Sequence, residues 1–190
     1  MSSPDRRTLI ADTAIATLAV AGLRGLTHRA IDTAAGLPAG STSYYFRTRT
    51  ALIGACCARI AELDLNDVES RPPVSREEAA ASLGAVLHHW LTTGRGRQLA
   101  RYELSLEAAR RPELQAALHR SGLAARAAAA ALLAALGAAR PEEAAELLVS
   151  WTDGVLFDRL AGAMAHTRPA PDPAELTVLA RRMIDAALAG

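Results

Sequence analysis

At 190 residues the chain can form one domain or two small ones with a buried core, and it is too short for a large multidomain machine. Hydrophobic residues make up 51% of it but aromatic ones only 4%, because 44 positions are alanine, a composition that favours helix and depletes strand. The net charge of +1 is unevenly placed: residues 1–50 set six arginines against Asp5, Asp12 and Asp32, while the remainder sets fifteen arginines against seventeen acids, so only the first quarter suits a polyanion.

All basic residues are arginine and none is lysine, a skew that fits a bacterial genome rich in G and C. Cys56 and Cys57 are adjacent on an expected helix, where their side chains diverge, so no disulfide framework is expected and the cytoplasm is the default compartment. No arginine-led signal sequence with a long apolar core opens the chain. The run Leu123 to Ala139 is too short, too alanine-rich and too interrupted by Arg126 to span a bilayer, so a soluble protein is expected.

Helix punctuation is legible along the whole chain. Ser3-Pro4-Asp5 opens a helix over about residues 5 to 21, with Ile10, Ala14, Leu18 and Ala21 on one face and a stop near Gly22. Thr27 caps a short helix that ends before Gly36, and Leu37-Pro38 restarts the chain into another that reaches about Tyr45. Thr48 caps a long helix to about Ser70, which Arg71-Pro72-Pro73 breaks, and Ser75-Arg76-Glu77-Glu78 is a capping box for a helix to about Thr93. Gly94 and Gly96 end that helix, and four more follow at about 97 to 110, 112 to 136, 141 to 165 and 173 to 188. The expectation is an all-α protein of nine helices.

The last helix carries Leu176, Leu179, Ala180, Met183, Ile184, Ala187 and Leu188 at the i, i+3, i+4, i+7 positions, a narrow apolar seam that needs a partner. Leu176, Leu179, Met183 and Ile184 are the expected dimer contacts; packing within the monomer is the alternative. Helices from about 76 to 165 hold the scarce large residues, so Trp90, Tyr102, Leu106, Trp151 and Phe157, with Met164 beside them, are candidates to line a pocket for an apolar or amphipathic molecule. Trp151 with Asp153-Gly154 could instead lie on the dimer seam. His88 and His89 point about 100° apart on a helix and do not suit one metal. No metal and no cofactor is expected. Cys-x-x-Cys, His-Glu-x-x-His, P-loop and Gly-x-Ser-x-Gly motifs do not occur, so the sequence does not read as an enzyme.

Three short helices in the first 46 residues, the last two separated by Ala35-Gly36-Leu37-Pro38, match a helix-turn-helix whose final helix enters the major groove. Thr27, Arg29, Gly40, Ser41, Thr42, Ser43, Tyr44, Tyr45, Arg47, Thr48 and Arg49 suit DNA. Hydroxyls and tyrosine reach sugar and phosphate, arginine forks onto guanine, and Gly40 permits close approach. Phe46 and one tyrosine are expected in the core.

Gly25-Leu26-Thr27-His28-Arg29-Ala30-Ile31, then Ala35 to Phe46, then Arg47-Thr48-Arg49-Thr50-Ala51-Leu52 resemble the N-terminal domain of the TetR family of one-component transcriptional regulators, over about residues 7 to 55. Thr48-Arg49-Thr50 stands where Ser-Lys-Glu is commoner, and Pro38 where serine usually caps. The resemblance implies a DNA-binding domain at 1–47, an effector-binding and dimerisation domain at 48–190, and a homodimer on a palindromic double-stranded operator. It also implies a repressor that a small molecule releases by displacing the long helix from Thr48, with activation as the alternative sense of regulation. A helical ligand-binding or scaffold protein without DNA binding is the competing class.

Overall fold

The computed structural model describes residues 3–68 and 75–190, with side chains from Asp5 onward. The side chains of the Ser3-Pro4 cap and the Arg71-Pro72-Pro73 break lie outside the described residues and side chains, whereas the helix expected to reach about Ser70 ends at Asp67. The described residues form nine helices and no strand: α1 (Ser3–Gly25), α2 (His28–Ala34), α3 (Ser41–Tyr45), α4 (Arg49–Asp67), α5 (Arg76–Leu91), α6 (Arg95–Arg110), α7 (Pro112–Ala135), α8 (Pro141–Leu160) and α9 (Pro173–Ala189).

Local chemistry sets most boundaries. The hydroxyls of Thr27, Thr48 and Ser75 accept from the backbone N–H of Ala30, Ala51 and Glu78, each at 3.1 Å, and so satisfy first-turn donors. Three boundaries differ most from the sequence expectation. α1 continues to Gly25 through a break at Gly22, whose φ of 60° is not helical. α3 begins at Ser41, because residues 38–40 form a turn instead of helix. α8 stops at Leu160, where the N–H groups of Ala161 and Gly162 both donate to the Phe157 carbonyl at 2.9 Å.

Two compact units divide the chain. The first comprises Met1–Leu63 and Gly96–Ser121. Its core joins Ile10, Ala14 and Leu18 of α1 to Leu26, Ile31 and Phe46, to Leu52, Ile53, Cys56, Cys57 and Ile60 of α4, and to Ala100, Leu104 and Ala108 of α6. The stretch Asp5–Gly25 is long and apolar enough to cross a bilayer by length and composition, but Ile10, Ala14 and Leu18 face this core. Arg59 braces α4 against α1 by a 2.8 Å ion pair with Asp12, and it also pairs with Glu62 at 3.0 Å. Burial, with Cys57 alongside, pushes the Cys56 thiol up to about 12, and burial pushes Cys57 up to about 11.

The second unit comprises Asp64–Arg95 and Gly122–Gly190. Ala79 and Ala80 of α5, Leu133 of α7, Ala144, Ala145 and Leu148 of α8, and Met183, Ile184 and Ala187 of α9 form its core. α5 and α9 approach so closely at Gly84 that a Cβ there would lie 2.7 Å from the Cα of Thr177. This packing corrects the seam expectation. Leu176, Met183 and Ile184 are buried within their own chain, and Leu179 packs against the same cluster, because α5 covers the apolar stripe of α9.

Candidate nucleic-acid interface

The first unit presents α2 and α3 with the geometry of a helix-turn-helix. α2 ends in a left-handed Gly36 (φ 63°), which lets the Gly36 and Leu37 N–H groups turn back onto the carbonyls of Thr33 (3.3 Å) and Asp32 (2.9 Å). A Cβ at Gly36 would bring the usual strain of that backbone region. Gly40, also left-handed at φ 90°, precedes α3 and has open space where a side chain would stand.

Four side chains bind the motif together. Asp32 of α2 is 4% exposed and accepts from Gly40 N–H (2.8 Å), Thr42 N–H (2.7 Å) and the Thr42 hydroxyl (2.6 Å). Burial raises its pKa, but the bonds from Thr42 and Gly40 together with the His28 charge outweigh that and hold the carboxyl below its ordinary value. His28 Nε2 donates to the Phe46 carbonyl at 2.7 Å, and the Arg7 guanidinium lies 5.7 and 5.2 Å from the Tyr45 and Phe46 ring centroids. Arg49, at the first residue of α4, donates to the carbonyls of Leu23 and Leu26.

These contacts sort the residues expected to meet DNA. Thr27, Arg29, Gly40, Ser43, Tyr44, Arg47 and Thr48 are exposed, Tyr44 at 79%. Ser41 is half-buried and donates to the Pro38 carbonyl at 2.6 Å. Thr42 is fully buried against Asp32, so it does not lie on the surface, and the Arg49 guanidinium is engaged by backbone carbonyls. Tyr45 is half-buried against the core and meets Tyr44 edge-on at 5.1 Å, while Phe46 is buried as expected. Sequence reasoning missed the anchoring role of Asp32; its signal was an acid beside the core residue Ile31 on a helix followed by a turn with no capping side chain.

The sequence profile of the tetracyclin repressor-like C-terminal domain matches residues 74–190, well over half of the chain. The chain belongs to the TetR family. Among solved structures it is similar to a TetR-family member from Streptomyces coelicolor, at 30% identity over 95% of this chain and 98% of that one, with a TM-score of 0.71. It is also similar to the multidrug binding protein EbrR in complex with ethidium, at 31% identity over 96% of this chain and 99% of that one, TM-score 0.69. A transcriptional regulator from Rhodococcus shares the fold at 22% identity, over 100% of this chain and 97% of that one, with a TM-score of 0.74. No curated protein matches the chain in sequence.

The five pocket candidates are divided between the two units. In the first unit, Tyr102 is half-buried with its hydroxyl accepting from Arg101 at 3.1 Å, and Leu106 is 57% exposed. In the second unit, Trp90 of α5 is half-buried and its indole N–H donates to Asp67, the last residue of α4, at 2.7 Å. Trp151 and Phe157 stand on the exposed side of α8. A groove of about 440 Å³ in this unit is lined by Arg159, Ala174, Glu175, Val178, Leu179 and Arg182, and by none of the five.

Proposed function

We propose that this TetR-family chain is a cytoplasmic, effector-controlled transcriptional repressor that binds a palindromic operator as a homodimer, with residues 1–47 reading DNA and residues 48–190 serving effector binding and dimerisation. The observation that carries the reading is the exposed set Thr27, Arg29, Ser43, Tyr44 and Arg47 on one helix-turn-helix, where arginine can fork onto guanine and hydroxyls can reach phosphate. The motif itself is pinned by Asp32, His28 and Arg7, so these side chains are held on a formed scaffold.

Dimerisation falls to the outer face of α8 and α9. Leu147, Trp151, Gly154 and Phe157 are exposed and fall within about 120° of arc at 100° per residue, and Val178 is exposed on α9. An apolar face of this kind on a soluble regulator is the mark of an isologous contact.

Control runs through α4. Its first residue, Arg49, is tied to the carbonyls of Leu23 and Leu26, and its last, Asp67, is tied to Trp90. A ligand seated on the Trp90 indole uses the bond to Asp67 to displace the end of α4 and so disfavours the DNA-binding arrangement, and by linkage DNA then weakens the ligand reciprocally. The EbrR complexes with ethidium, proflavin and malachite green favour an apolar, planar cation as the effector class.

The test begins with selection of a duplex by the wild-type chain from a random-sequence library. Fluorescence anisotropy then compares the selected and a scrambled duplex at one salt concentration, with and without malachite green. Preference for the selected duplex, and release by the dye, is expected. Equal binding to both sequences would reduce the chain to a helical ligand-binding protein.

A further inference from the structure

α3, the helix expected to enter the groove, has five residues, too few to hold a helical conformation by its own hydrogen bonds. Its N-cap is Gly40, which has no side chain to accept a first-turn N–H. The second-position N–H that a cap side chain would take nevertheless has an acceptor, since Thr42 donates to Asp32 Oδ1, and the N–H of Gly40 itself donates to Asp32 Oδ2. The cap is therefore supplied from α2, ten residues back, across the turn.

The geometry points to Asp32 as the positioning residue for sequence recognition: by capping α3 and taking the Thr42 hydroxyl, it sets the rotation of α3 and so which side chains face the groove. With both carboxylate oxygens engaged, the plane of the group is fixed, and with it the position of the α3 N-terminus. Thr42, fully buried, fixes the inward side of the helix. At 100° per residue that choice turns Ser43 and Tyr44 outward, as observed. Asp32 touches no DNA in this account, since it is buried, and it acts through Thr42 and Gly40.

The inference deepens the proposed DNA reading and rests on it. A residue that positions α3 affects discrimination between sequences, whereas the exposed arginines that meet phosphate supply affinity for any duplex. The experiment measures, at one salt concentration, the ratio of affinities for the duplex selected by wild type and for a scrambled duplex, in Asp32→Asn, Thr42→Val and Thr42→Ser, with thermal unfolding run in parallel. Asp32→Asn replaces one acceptor oxygen by an amine facing backbone donors, and the ratio should fall by tenfold or more while affinity for scrambled DNA and its salt dependence stay near wild type. Thr42→Val, close in volume, should lower the ratio in the same direction, and Thr42→Ser, which restores the hydroxyl, should recover it.

Variants Asp32→Asn and Thr42→Val that fold and keep the wild-type ratio overturn the proposal, as does a parallel loss of affinity for both duplexes. Should Asp32→Asn fail to fold, the Thr42→Val and Thr42→Ser pair decides alone. A wild-type chain that selects no duplex overturns the DNA-binding reading itself and the inference with it, a failure distinct from unchanged discrimination in the variants.

Discussion

The two surfaces that the proposed function needs are built by opposite rules. Around α2 and α3 the outward side chains are polar or basic, and the backbone beneath them is fixed by hydrogen bonds accepted by Asp32 and donated by His28 and Arg49. On α8 the outward side chains include Leu147, Trp151 and Phe157, the last 45% exposed, while the core beneath is alanine, leucine, isoleucine and methionine. The first surface meets water until DNA replaces it. The second leaves apolar area in water at a cost of about 25 cal/mol per Å², which a second copy would remove in the proposed dimer.

The sharpest way to break this comparison is to place a charge on either side of the second surface. Met183→Arg buries an unpaired guanidinium in the α5–α9 core and should destabilise the fold by about 3–5 kcal/mol or abolish it, read by chemical denaturation. Phe157→Arg puts the same charge on the exposed face and should leave the fold intact while halving the mass by sedimentation. A Phe157→Arg protein that stays dimeric would move the interface elsewhere.

On the first surface the effects are smaller and differ in kind. Arg29→Ala should cost about 1–3 kcal/mol on the selected duplex and relax preference at one base pair, whereas Arg47→Ala should weaken binding to every sequence and lower the salt slope by about one unit. Equal losses on all sequences for Arg29→Ala would demote it to a phosphate contact.

Trp90→Ala should weaken release by malachite green and leave operator affinity without dye nearly unchanged, since Trp90 and Asp67 belong to the second unit and the exposed motif to the first. A variant released as readily as wild type would place the effector elsewhere.

The smallest effect is on acid stability. Asp32 has its carboxyl held below the ordinary value, so the stability it contributes is present above its unfolded pKa of about 4 and is lost as pH falls through the lower folded value. Asp32→Asn should therefore flatten the acid limb of the stability curve, measured by urea denaturation at successive pH values; an unchanged slope would show that other carboxylates carry it.

The helix-turn-helix was legible because its signals are local: Gly36 at a left-handed helix stop, Thr27 and Thr48 at caps, and hydroxyls and arginines clustered within 25 residues. What failed there was the destination of individual donors. A threonine hydroxyl and an arginine look the same in sequence whether they face DNA or, like Thr42 and Arg49, a carboxylate ten residues back and carbonyls more than twenty residues back. The stripe on α9 was read correctly as apolar and assigned to the wrong partner, since periodicity shows that a face is covered and not by what. α5, itself rich in alanine, covers it by close approach at Gly84, a long-range packing no local pattern announces. For the pocket candidates the sequence shows only that large residues are scarce; in the structure Leu106 is exposed in the first unit, and Trp151 and Phe157 stand on the exposed side of α8 in the second.

In the proposed function this chain reads DNA sequence as a dimer and lets go when an effector binds. Anisotropy of the selected palindromic duplex, titrated with wild-type protein in the absence and presence of malachite green, tests it most directly. The account predicts saturation at two protomers per duplex, clear preference over the scrambled sequence, and a rightward shift of the curve with dye. Binding that ignores both the sequence and the dye would contradict it.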